Sequence, residues 1–279
     1  MNRPDELKRC LESVFQSLEG PDEVIVSDDS TDPQPVQEVI HNFPSIIYKQ
    51  GPRLGLGANR NTCIRCIKQG SYVIFIDDDV RVPEEFFTVA RQLITSSDTK
   101  IIITGFEMNY GGGGRWEGEV RKVVPHNIDF WGFQHLPVLN QLRAIVINAT
   151  IFPPTLFERA LFDKNLRYGC EEIDMAMNAV ALGYTIYYAD SLYVYHYPSL
   201  TNRDSYKPFI DASRLYATTK AYWHYEKSIF KAMAFLLLAP LQLAGSAARR
   251  GNIPGMLKAF QSTALAYSYL YNSSKINSL

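Results

Sequence analysis

With 279 residues, 46% of them apolar and 20% charged, the chain has a globular composition and enough length to bury a sizeable core. Its net charge of −1 leaves no overall basic surface, and no nucleic-acid partner is expected. Four cysteines do not make a disulfide framework at this length, and Cys63-x-x-Cys66 lacks the second ligand pair that zinc needs. Buried thiols in a reducing compartment are therefore expected.

The chain opens on a helix: Asn2 as cap, Pro4 in the first turn, Asp5 and Glu6 at the positive end of the dipole, then an apolar stripe of Leu7, Leu11, Val14, Phe15 and Leu18. No signal peptide is visible in this polar start. Val24-Ile25-Val26 predicts a short buried strand ending in Asp28 and Asp29. A second helix (Val36, Val39, Ile40, Phe43) and a strand at 46–48 follow, a βα alternation that implies a parallel sheet. Residues 51–61 form a glycine-rich loop running into a helix. Its spacing is not the dinucleotide fingerprint, but Gly55 and Gly57 would let backbone approach a ligand, and Arg60 at the helix start would suit a phosphate.

Tyr72 to Ile76 is an unbroken apolar run closed by Asp77-Asp78-Asp79, which predicts a buried strand ending in three carboxylates. Ligands of open α/β sheets bind outside the carboxyl ends of strands, and Asp77 and Asp79 bracket one residue, so both can face one hard cation such as Mg²⁺ or Mn²⁺. A solvated acidic turn before the helix at Pro83 is the plainer reading of such a triplet. A helix from Glu84 to about Ile94 and a strand at 101–104 come next. Residues 107–140 have no clean period and carry Gly111 to Gly114, Trp116 and Trp131, a binding loop whose aromatics would stack on sugar or base. Residues 144–148 predict another strand. Glu171, Glu172 and Asp174 then open a helix that Gly183 ends, and strands at 184–188 and 193–195 lead to His196, a candidate metal ligand.

In their order, Asp28-Asp29, the Gly-Leu-Gly-Ala-Asn-Arg-Asn run at 55–61, Asp77-Asp78-Asp79, Glu171-Glu172-Ile173-Asp174 and His196 resemble the family 2 inverting glycosyltransferases of GT-A fold. The resemblance implies an α/β, Rossmann-like, mostly parallel sheet flanked by helices over residues 1–205. The nucleotide-sugar half would cover about 1–106 and the acceptor half about 107–205. It further implies that Asp28 and Asp29 hold the nucleobase, that Asn59 and Arg60 lie by base or diphosphate, and that Asp77 and Asp78 belong to the nucleotide-sugar site. Asp79, with Asp77 and His196, would bind the metal. Glu172 would be the catalytic base, with Glu171 as second choice. The implied reaction is transfer of a hexosyl or deoxyhexosyl group from a nucleoside-diphosphate sugar to a glycan or lipid-linked acceptor in polysaccharide biosynthesis. A non-catalytic sugar-nucleotide-binding protein on this fold and a haloacid-dehalogenase-like phosphatase using Asp77 are the alternatives. Two departures stand out. Only Asn2-Arg3 matches the end of the family's first strand, so an upstream strand is expected, and Met175 to Val180 lacks the arginines often found after the base.

Residues 206–279 predict an amphipathic helical extension, with helical spacing at 208–228 and 252–271 and an uncharged stretch from Ala232 to Ala248. Residues 200–279 hold ten Lys/Arg against three Asp/Glu, a net of +7. Pro240, Gln242 and Gly245 argue against a clean membrane span. Attachment to an anionic membrane surface is expected, peripheral and on the cytoplasmic face, with a cytoplasmic protein as the alternative if the tail is core.

Overall fold

The computed structural model describes residues 2–111, 118–138, 141–198, 203–249 and 253–276. Helix α1 (Pro4–Phe15) starts at the proline and buries Cys10, Leu11 and Val14, while Asn2 spends its side chain on the backbone of Thr31 rather than on the helix. Strand β1 (Ile25–Asp28), helix α2 (Gln34–Ile40) and strand β2 (Ile47–Gln50) form a right-sized βαβ unit whose two strands pair in parallel, Ile25 opposite Ile47. Helix α3 (Leu56–Ile64) leads to β3 (Val73–Ile74), β4 (Val80–Arg81), α4 (Phe86–Thr95) and the long β5 (Ile101–Tyr110). The antiparallel β6 (Val120–Val123) and a small hairpin, β7 (Asn127–Ile128) with β8 (Gln134–Leu136), follow. The chain returns through β9 (Thr150–Phe152), α5 (Glu171–Ala181) and β10 (Thr185–His196) to the tail helices α6 (Arg203–Lys220), α7 (Ile229–Arg249) and α8 (Ile253–Ile276).

The main sheet runs β3-β9-β5-β10-β4, with β6 on the far part of β5. It is mixed rather than mostly parallel. Among the described residues, beyond β1–β2 only β5 and β10 are parallel, because β9 comes back antiparallel between β3 and β5. The strand expected at 144–148 is not one. Thr104 Oγ1 accepts the Val146 N–H at 2.9 Å and the backbone closes a turn from Ala149 to Val146, so pairing begins only at Thr150. The expected run 72–76 pairs at just Val73 and Ile74, while Phe75 turns into a ring cluster with Phe152, Phe157 and Phe162 at 5.4–5.8 Å. The two strands expected near the end are one, β10, with a register shift between Tyr188 and Tyr193.

Side-chain alternation along β5 divides the interior. Ile102 faces a core with Phe152, Leu156, Met175 and Tyr184; Ile103 faces one with Val80, Phe86, Ile151 and Leu192. A third cluster joins Leu166 to Leu215, Tyr216, Phe235 and Tyr269 of the tail. Trp131 belongs to its edge, its ring 5.1 Å from Phe130, so it packs under the tail instead of presenting a stacking face. Gly112 to Gly114 and Trp116 lie outside the described residues. The pairing that matters most for the site is His196 opposite Val80, which sets the end of β10 beside the acidic turn.

Candidate active site

The first group of candidate residues lies at the end of β1. Asp28 is buried and held from both sides, accepting the Ser30 N–H at 2.8 Å and the Tyr48 hydroxyl at 3.1 Å. Asp29 accepts the Arg53 N–H at 2.8 Å, and burial pushes its carboxyl upward. Asn59 ties α3 to β1, its oxygen accepting Ser27 Oγ at 2.5 Å and its nitrogen donating to the Ser27 carbonyl at 3.1 Å. Gly51 fits between these groups, because a Cβ there would lie 2.2 Å from Asp29 and 2.3 Å from Asn59. The close approach at Gly55, by contrast, is to the backbone of Arg167, 2.4 Å from a built Cβ at φ 107°, so this glycine seats the loop before α5 and not a ligand.

The acidic triplet splits three ways. The Asp77 N–H donates to Asn148 Oδ1 at 2.8 Å, and its side chain accepts Arg60 Nη2 at 3.1 Å. Arg3 bonds both carboxylate oxygens of Asp78 and places Nη1 2.7 Å from Asp79 Oδ2. The other oxygen of Asp79 lies 3.4 Å from His196 Nε2, and His196 Nδ1 bonds Glu107 Oε2 at 2.9 Å. Glu107 in turn accepts Asn148 Nδ2 at 2.8 Å, closing a path from Arg3 to Asp77 through the side chains of Asp79, His196, Glu107 and Asn148. Burial favours a neutral His196, but the bonds to Asp79 and Glu107 outweigh it and hold the imidazole up at about 10. Burial likewise raises Asp79, yet His196 and Arg3 bring its carboxyl well below the usual range.

Helix α5 is launched from a left-handed Cys170, φ 65°. Its three acids point to different partners. Glu171 is buried with Oε1 3.1 Å from Arg60 Nη1, and its Oε2 has no hydrogen-bond partner among the described residues. Asp174 faces the tail, accepting Lys220 Nζ at 2.9 Å and the Tyr225 hydroxyl at 3.0 Å. Glu172 is half-buried. Burial first, then the neighbouring Glu171 charge, push its carboxyl up to about 8, with Arg60 pulling the other way. Arg60 itself is buried between Asp77 and Glu171, so it orders two carboxylates and offers no free charge to a diphosphate.

The donors suit a divalent cation shared with a ligand. Asp79 and His196 oppose each other, and the second imidazole nitrogen is on Glu107, the support a metal-bound histidine ordinarily has. A carboxylate with an imidazole fits Mn²⁺ better than all-oxygen Mg²⁺. Among the described residues no three His, Cys, Asp or Glu side chains converge as a metal cage, so remaining ligands would come from outside the protein. Asp77, expected beside Asp79 on the cation, is turned to Arg60.

Four residues of this centre are absent from the sequence-based expectation for the site. Arg3, Asn148 and Lys220 act across separations of 46 to 76 residues and leave no local mark. Glu107 did leave one: it is the one charged residue of β5, and a buried acid needs a partner.

The sequence model of Glycosyl transferase family 2 matches residues 1–166. A Haemophilus influenzae protein described as an uncharacterized glycosyltransferase is 33% identical over 78 residues, 28% of this chain and 26% of that protein. The aligned part thus spans about a quarter of that relative's length. Among solved structures, GalNAc-T7 with UDP, GalNAc and Mn²⁺ matches with a TM-score of 0.60 and 17% identity, over 79% of this chain and 46% of that one. The mannosyltransferase PcManGT of Pyrobaculum calidifontis, in complex with GDP-Man and Mn²⁺, matches with a TM-score of 0.55 and 14% identity, over 97% and 85%. These likenesses establish the GT-A-like fold.

Proposed function

The chain belongs to glycosyl transferase family 2, and we propose on that premise that it moves a hexosyl or deoxyhexosyl group from a nucleoside-diphosphate sugar to a hydroxyl of a glycan or lipid-linked saccharide, inverting the anomeric carbon. The family leaves no place for the phosphatase alternative. The observation that carries the reading is Arg60, which holds Asp77 of the strand-end turn and Glu171 of α5 on one guanidinium and so brings the two acidic clusters to a single point. Asp28 and Asp29, fixed at the end of β1, would receive the base. A divalent cation held by Asp79 and His196 would offset the charge growing on the departing diphosphate.

Glu172 does the proton work. As the acceptor oxygen attacks C1 from the face opposite the diphosphate, its proton passes to Glu172, the bond from C1 to the diphosphate oxygen breaks, and the configuration inverts. A base with its pKa near the operating pH combines adequate ionisation with adequate basicity, and burial beside Glu171 raises Glu172 toward that range. Glu171 is held by Arg60, so the two neighbouring acids have separate duties. The expected place of work is the cytoplasmic face of a membrane, where nucleotide sugars are made. The test is transfer or hydrolysis with a panel of nucleotide sugars, with Mn²⁺, Mg²⁺ or chelator, and the product anomer read by NMR. Binding of sugar nucleotides without turnover of any of them would leave a non-catalytic binding protein, and retention of configuration would overturn the mechanism.

A further inference from the structure

Helices α7 and α8 are packed inside out. The residues they bury include Ala232, Ala239, Ala259 and Ala266, small side chains that let the helices lie close to α6 and to each other. Apart from Phe235 and Tyr269, which are buried, many large apolar residues point away: Phe230 is 85% exposed, Leu241 69% and Phe260 66%, with Leu237, Ile253 and Leu257 in the same state. Their spacing is helical, 230, 237 and 241 on one helix and 253, 257 and 260 on the other, so each helix carries a continuous apolar outer stripe. A helix packed only for water would place these residues the other way round, and an apolar patch of this extent marks a contact surface.

The charge says what the contact is. Residues 227–279 contain six Lys/Arg and not one Asp or Glu. Lys231 is paired with Glu226, while Lys227, Arg249 and Lys258 have no acidic partner among the described residues. A second copy of this face would bring like charges together, whereas an anionic lipid surface takes both the apolar stripe and its basic margin. Helix α7 is long and apolar enough by composition to cross a bilayer. It is nevertheless held against α6 and α8 through Ala232, Phe235 and Ala239, and Pro240 interrupts it.

We propose that the α7–α8 hairpin lies in the plane of an anionic lipid surface, its outer stripe in the headgroup region and Lys227, Arg249 and Lys258 on lipid phosphates. The surface is separate from the sugar-nucleotide site, and its test does not depend on transfer. The full chain is floated with phosphatidylcholine vesicles with and without phosphatidylglycerol, at low and high salt. Flotation is expected with the anionic vesicles and should weaken with salt. Replacing Lys227 and Lys258 by Gln should lower partitioning about fivefold for each charge. Leu237→Glu with Phe260→Glu should abolish it at unchanged melting temperature, since both side chains already face outward. Protein carrying Glu172→Gln should float like the wild type, which keeps this result independent of the catalytic reading. A chain that stays monodisperse without detergent and ignores anionic vesicles overturns the proposal. So does a dimer, seen by light scattering, that the Leu237 and Phe260 substitutions dissociate.

Discussion

Lys220 is the point at which the tail holds α5, and its removal should be costly in a way that can be worked out. Its ammonium lies 2.7 Å from Asp163 and 2.9 Å from Asp174, with only 16%, 11% and 2% of the three side chains exposed. Lys220→Met keeps most of the packing of the stem and leaves two buried carboxylates. Asp163 would retain the Tyr216 hydroxyl at 2.6 Å, and Asp174 the Tyr225 hydroxyl at 3.0 Å. Breaking one side of a buried ion pair costs about 3–5 kcal/mol. For a chain of 279 residues the unfolding entropy is about 0.6 kcal/mol/K, so the melting temperature should fall by about 5–9 °C. The pH dependence separates charge from packing. Burial raises Asp174 and Lys220 is the first group lowering it, so without the lysine its folded pKa lies further above the unfolded value. A group raised in this way costs nothing below its unfolded pKa of about 3.9 and progressively more as the pH rises toward its folded one. The deficit of the variant, measured by calorimetry, should therefore shrink toward pH 4, and Asp174→Asn should restore part of it at neutral pH. A loss below about 2 °C would class the node with exposed pairs and refute the reasoning. A deficit that does not change with pH would assign the loss to packing.

Glu172→Gln should lower turnover by about 10²–10⁴-fold with sugar-nucleotide binding retained; if Glu171→Gln is instead the dead variant with binding intact, the roles within the pair are exchanged. Because Glu172 must be ionised to accept a proton, kcat/KM should rise with pH toward the raised value of about 8, and a profile flat across that range would remove Glu172 as the titrating base. Asp79→Asn should abolish cation-dependent transfer and leave the melting profile cooperative, whereas full activity in that variant or in excess chelator would sink the metal assignment. An imidazolium cannot ligate a metal, so Mn²⁺ binding near pH 7 should release about one proton, seen as a buffer-dependent heat in titration calorimetry; equal heats in buffers of different protonation enthalpy would exclude His196 as a ligand.

Much of the fold was legible because local pattern and tertiary burial agree. The stripe Leu7, Leu11, Val14 predicts α1, and Leu11 and Val14 are buried in it; the acids at 171–174 open α5, and Gly183 follows its end. The misreadings share a cause. Residues 144–148 and 72–76 have strand composition, but apolar, extended backbone becomes a strand only where a neighbour offers a ladder. Thr104 bonds Val146 through its side chain, and Phe75 leaves the sheet for a ring cluster. The direction of β9 depends on a return path of the chain that no local period encodes.

The site divides along the same line. The candidate acids were readable from runs such as Asp77-Asp78-Asp79 and Glu171-Glu172, because clustered carboxylates after a strand or at a helix start are chemically conspicuous. What each one faces was not, because every deciding partner comes from another element: Arg60 for Asp77 and Glu171, His196 and Arg3 for Asp79, Lys220 for Asp174. A D-x-D spacing suggests that its two acids share a cation, yet here the register of β10 against β4 delivers His196 to Asp79 while α3 delivers Arg60 to Asp77. The same physics makes Glu172 distinctive. It is the acid of its cluster with no ion pair among the described residues, so burial and the charge of Glu171 outweigh the opposing pull of Arg60, while Glu171 and Asp174 are tied to Arg60 and Lys220.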